Sequence, residues 1–99
     1  MQRKKDLNTF LQQIKRTDEI NVSIYNLNCS PQDQIVAFTF KLREIEVIGE
    51  KENNVVLYGI NADRVQMFDI SSIKYTDIIS ETWIITTDNG MEFNFEFCV

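Results

Sequence analysis

The apolar positions of this chain follow two periods, and the change from one to the other divides it. Between Asp6 and Arg16, Leu7, Phe10, Leu11 and Ile14 recur at i, i+3, i+4 and i+7, the spacing of one helical face. Asp6 stands where an N-cap belongs, and Lys15 and Arg16 stand where cations suit the end of the helix dipole. The spacing predicts a helix over 6–16. A helix that short is marginal alone, so its apolar stripe needs a sheet to dock on.

From Ile20 onward the period is two. Ile20, Val22 and Ile24 alternate with polar residues, then Val36, Phe38, Phe40 and Leu42. The alternation predicts strands over 20–28, 35–48, 54–60, 64–75, 82–87 and 91–97, with turns at Ser30-Pro31-Gln32-Asp33, at GEKENN (49–54) and at Asn61-Ala62-Asp63. Leu42 to Ile45 is an odd step, and such a phase change inside a strand places a bulge or break at Arg43-Glu44. The fold class expected is α+β: an N-terminal helix packed on a bent antiparallel sheet or small barrel of five to six strands, ending in a β-hairpin.

The hairpin TWIITTDNGMEFNFEF can be read to its register. A two-residue Asn89-Gly90 loop would put Trp83 and Ile85 on a face with three polar groups. A three-residue Asp88-Asn89-Gly90 loop, with Gly90 left-handed, pairs Trp83 with Phe95 and Ile85 with Phe93. It thereby collects Trp83, Ile85, Met91, Phe93 and Phe95 on one face, and Ile84, Thr86, Glu92, Asn94 and Glu96 on the other. The three-residue loop is the expectation, with Phe97 continuing the apolar face.

Composition bounds the rest. Ninety-nine residues suffice for one domain, and with one Pro and three Gly there is no flexible linker, so 1–99 is expected to be a single unit. The element order resembles the Sm-like architecture, a helix followed by a strongly bent meander. That resemblance is one of topology and implies an oligomeric RNA-binding barrel. No leader-like or membrane-length apolar run is read, and a cytoplasmic protein is expected, with Cys29 and Cys98 as free, buried thiols.

Charge is uneven. Residues 1–16 carry five basic side chains against Asp6, a net of +4, and residues 17–99 carry five basic against fourteen acidic ones, a net of −9. Beyond Lys74 no basic residue follows. Such a field repels phosphate backbones and attracts basic partners.

Catalytic equipment is sparse. The sequence has no His, which removes the commonest general base and zinc ligand, and its three glycines stand apart rather than forming a phosphate loop. The pairs Glu44/Glu46 and Glu92/Glu96 read as solvated faces rather than acid/base dyads. Tyr25, Tyr58, Tyr75 and Trp83 could stack nucleic-acid bases, but without a basic groove core packing is expected for most of them. No enzyme, cofactor or metal is expected.

Recognition remains. Glu44, Glu46, Glu50, Glu52, Asp77, Glu81, Glu92 and Glu96 could imitate a row of phosphates and occupy the basic surface of a nuclease or another nucleic-acid-handling enzyme. That role is one used by phage anti-defence proteins and nuclease-immunity proteins. Plain solubility would also account for these acids. The alternatives are the Sm-like RNA-binding barrel, with Lys4, Lys5, Lys15 and Arg16 as contacts, and an adaptor subunit that assembles through an edge strand, where a homo-oligomer would follow.

Overall fold

The computed structural model describes the backbone of residues 2–28, 33–77 and 81–98, and the side chains of 5–28, 35–76 and 81–97. A helix, α1 (Gln2–Lys15), precedes eight strands: β1 (Glu19–Asn26), β2 (Asp33–Phe40), β3 (Leu42–Ile48), β4 (Asn54–Gly59), β5 (Arg64–Met67), β6 (Ile70–Asp77), β7 (Glu81–Thr87) and β8 (Met91–Cys98). The strands form two sheets, ordered β2-β1-β8-β7-β6 and β3-β4-β5. All described pairings are antiparallel. The fold is α+β and β-rich. The sheets do not close into a barrel.

Two expected strands each become two, and the six of the sequence reading become eight. The 35–48 segment breaks at Lys41, whose carbonyl accepts the Ile60 N–H at 2.9 Å as the chain passes from the large sheet to the small one. Arg43 is the extra residue of a bulge immediately after, as the phase change required. The 64–75 segment breaks at Phe68–Asp69. There Asp69 adopts φ 47°, accepts from Asn53 Nδ2 at 2.8 Å and receives the Asp88 N–H on its carbonyl at 2.9 Å. Alternation holds across the first corner, from Phe40 to Leu42, and shifts phase at the second, from Met67 to Ile70, so it marks at most an irregularity and cannot reveal that the chain has switched sheets.

The helix starts four residues before the expected boundary, which places Asp6 in the second turn instead of at the cap and leaves the first turn without an acid. Gln2, Arg3, Lys4 and Lys5 are all good helix formers and extend the helix ahead of its apolar stripe. At the other end Thr17 Oγ1 donates to the Gln13 carbonyl at 3.0 Å. The stripe then docks as it must. Phe10 and Ile14 are fully buried, with Phe10 5.1 Å from Phe95 and 5.7 Å from Trp83 between ring centroids.

One core lies between the sheets under the helix. The large sheet supplies Ile20, Val22, Phe40, Ile85, Phe95 and Phe97, and the small one Val55, Leu57, Val65 and Met67. The closing hairpin has the three-residue loop: Trp83 pairs with Phe95, Ile85 with Phe93 and Ile84 with Asn94, while Gly90 sits at φ 84°. Phe97 continues the buried face at 2 % exposure.

Candidate functional site

β8 is the middle strand of five, and its two faces do opposite things. Phe93, Phe95 and Phe97 point into the core beneath α1. Glu92, Asn94 and Glu96 point away from it. Cross-strand register carries that alternation outward: Glu96 lies between Asn21 and Thr82, Asn94 between Ser23 and Ile84, and Glu92 between Tyr25 and Thr86. The outer face of the large sheet is therefore a field of hydroxyls and amides with carboxylates at its centre, roughly 19 Å across five strands.

Local bonds hold this field in place. Asn94 Nδ2 donates to Glu92 Oε2 at 3.1 Å, Thr39 Oγ1 to Asn21 Oδ1 at 3.1 Å, and Thr76 Oγ1 to the Thr82 carbonyl at 3.2 Å. The Thr86 hydroxyl is hydrogen-bonded to that of Ser72. Glu92 is half-buried and Glu96 exposed, and among the described residues neither is in an ion pair.

A third carboxylate belongs here that the sequence reading did not select. Glu19 shares the outer side of β1 with Asn21, and because Asn21 pairs with Glu96, Glu19 is the diagonal neighbour of Glu96, roughly 7–8 Å away. No local pattern could have shown this, since it depends on the first strand pairing with the last. The central strands β1, β8 and β7 thus present Glu19, Glu92 and Glu96 with no cation among the described residues. Lys41 and Lys74 stand at the flanks. Near Lys41 an open cavity of about 350 Å³ is lined by Glu19, Thr39, Lys41, Ile60, Asn61 and Asp63.

The other selected acids lie elsewhere. Glu44 and Glu46 are exposed on β3 among charges of both signs. Arg43 Nη1 is 3.7 Å from Glu44 Oε1 and its guanidinium lies 5.6 Å from the Tyr58 ring, while Arg64 lies across Tyr58 from Glu44. Glu50 and Glu52 are exposed in the β3–β4 turn with Lys51 between them. Glu81 pairs with Phe97 and so belongs to the helix side of the sheet, half-buried at its rim. The Asp77 side chain lies outside the described residues, though its backbone pairs with Glu81. The seven of these acids whose side chains are described form no single row; they divide among four places, and only Glu92 and Glu96 share the large outer face.

Of the alternative contacts, Lys5, Lys15 and Arg16 are exposed on the solvent side of α1, and the Lys4 side chain lies outside the described residues. Lys5 and Lys15 are roughly 15 Å apart along the axis. Of Tyr25, Tyr58, Tyr75 and Trp83 only Trp83 is core. Tyr25 is half-buried on the acidic face, Tyr58 half-buried on the small sheet, and Tyr75 is 39 % exposed with its ring 4.8 Å from Trp83. Core packing was the expectation for most of the four, and edge positions and outward register overturn it for the tyrosines. The thiols of Cys29 and Cys98 lie outside the described residues.

Among the described residues no group of three or more acidic or thiol side chains is placed to hold a metal ion, and no helix is long and apolar enough to cross a membrane. Comparison with family models, with curated proteins and with solved structures gave no match. The Sm-like resemblance therefore rests on element order alone.

Proposed function

We propose that the chain is a small acidic, non-catalytic binding module of the cytoplasm. Its large-sheet outer face occupies the basic nucleic-acid-binding surface of a nuclease or related enzyme, in the manner of a phage anti-defence or nuclease-immunity protein. The observation that carries the reading is the outer face of β1, β8 and β7, where Glu19, Glu92 and Glu96 stand on a hydrogen-bonded platform outside any ion pair among the described residues, with Lys41 and Lys74 only at its flanks. Glu92, held by Asn94 Nδ2, loses little freedom on binding, and steering by charge raises the encounter rate.

Charge alone is insufficient. Three ion pairs at a surface of this kind contribute about 3 kcal/mol, against about 8 kcal/mol for micromolar affinity. Tyr25 and Ile84, half-buried on the same face, supply the apolar contact that such an interface needs.

The test is retention of proteins from a phage-infected bacterial lysate on the immobilised wild type and on E92K/E96K, with salt elution and a gel-shift control. The expected result is a nucleic-acid-binding protein held by the wild type alone, released by salt, with no shift of DNA or RNA by the module itself. The same proteins on both columns would overturn the reading.

A second reading has its own observation. Among the described residues β2 and β3 are each paired on one side only, and Ile35, Val36, Val47 and Ile48 along them are exposed, which suits an adaptor that adds a strand from a partner.

A further inference from the structure

The helix and the acidic face occupy opposite sides of the same strand. Phe95 and Phe97 of β8 contact Phe10 of α1, while Glu92 and Glu96, alternating with them, face the other way. Among the described residues the solvent side of α1 and of the turn that follows it is formed by Lys5, Asn8, Thr9, Gln12, Lys15 and Arg16, with three cations and no acid. Among the described residues none of these cations is in an ion pair. The molecule thus has a basic back and an acidic front.

The spacings agree as well as the signs. Lys5 and Lys15 are separated by ten helical residues, about 15 Å, and Glu92 and Glu96 by four strand residues, about 14 Å. A helix laid along β8 of another molecule brings Lys5 to one carboxylate, and Lys15 with Arg16 to the other, where Glu19 adds its charge.

We infer that the acidic face also takes a second copy of this chain, through the solvent side of α1, in a head-to-tail contact. This rests on the reading that the face accepts basic surfaces and names one such surface. Because the two patches lie on opposite sides of the molecule, one pair of copies cannot make both contacts at once as a two-fold dimer, and the contact propagates into chains, or into rings where the rotation closes. A single helix face is a small interface, so the association is weak and salt-sensitive.

Sedimentation velocity over a concentration series tests it, at about 20 mM and about 0.5 M salt, where the screening length falls from roughly 20 Å to roughly 4 Å. The weight-average mass of the wild type should rise at least twofold with concentration at low salt and return to the monomer at high salt. E92K/E96K and K5E/K15E/R16E should each stay monomeric, as should the milder E92Q/E96Q, and circular dichroism checks that all are folded. An equimolar mixture of the two charge-reversed variants should associate again, since each then offers the helix or sheet that the other lacks. A wild type that stays monomeric at low salt, a mixture that stays monomeric, or undiminished association of E92K/E96K overturns the inference. The capture experiment on lysate is independent of all three, so head-to-tail assembly can fail while the partner reading stands.

Discussion

The indole N–H of Trp83 donates to Gln13 Oε1 at 2.7 Å, tying β7 to α1 through a polar contact at the edge of an apolar interface. Phe10 lies against the same indole, so the helix is fixed both by burial and by direction. A half-buried N–H left without its acceptor costs about 1–3 kcal/mol. Gln13→Leu should therefore lower stability by about that amount despite its greater hydrophobicity, and Gln13→Glu, which keeps an acceptor, should lower it less. Urea denaturation followed by Trp83 fluorescence measures both, and a neutral Gln13→Leu would show that the bond contributes nothing.

Phe95 and Glu96 are adjacent in sequence and opposite in consequence. Phe95 is fully buried against Phe10 and lies next to Phe93, with ring centroids 6.3 Å apart, whereas Glu96 is exposed and in no ion pair among the described residues. Phe95→Ala should cost about 3–5 kcal/mol through the cavity it leaves. Glu96→Ala should stay within about 0.5 kcal/mol. Denaturant midpoints decide the matter. A Glu96 variant as damaging as the Phe95 one would mean that the outer face is structural and not a free surface.

How much of this was legible in the sequence follows from the range of each determinant. The hairpin register was readable because Gly90 and the Trp83, Ile85, Phe93, Phe95 pattern are local and only one loop length reconciles them. The corners at Lys41 and Asp69 were less so. Their chain direction changes through hydrogen bonds from Ile60, Asn53 and Asp88, partners reached only after the sheets assemble. The acidic site was half visible for the same reason. Alternation put Glu92 and Glu96 outside, but Glu19 joined them through β1–β8 pairing, and Glu44 was set aside by Arg43 and Arg64, whose approach depends on the small sheet.

Gly90 is constrained twice. Its φ of 84° disfavours any side chain, and a Cβ there would lie 2.6 Å from the Asn28 amide nitrogen, at the point where Leu27 N–H bonds the Gly90 carbonyl at 2.8 Å. Gly90→Ala should cost about 2–4 kcal/mol, from backbone strain of about 1–3 kcal/mol with the steric conflict added. Asn28→Ala on its own removes the Nδ2 bond to the Asn89 carbonyl and should cost about 1 kcal/mol. In the double variant the conflict is relieved and the strain stays, so the combined loss should fall short of the sum. Strict additivity by thermal or urea denaturation would refute the contact.

The unpaired sides of β2 and β3 supply the last expectation. Val36 and Val47 are 40 % and 39 % exposed on strands that, among the described residues, pair with only one neighbour each, the situation in which one chain templates another. A lysine on such an edge keeps the existing ladder, since only the side chain changes, and sets charge against any incoming strand. Val36→Lys and Val47→Lys should leave stability within about 1 kcal/mol while slowing aggregation on mild heating. Light scattering at matched fractions unfolded separates this from a stability effect. If the edge accepts a partner's strand, the same substitutions should also abolish capture of that partner without disturbing the salt-sensitive binding proposed for Glu92 and Glu96. Loss of both binding activities together would place the two surfaces in one interface.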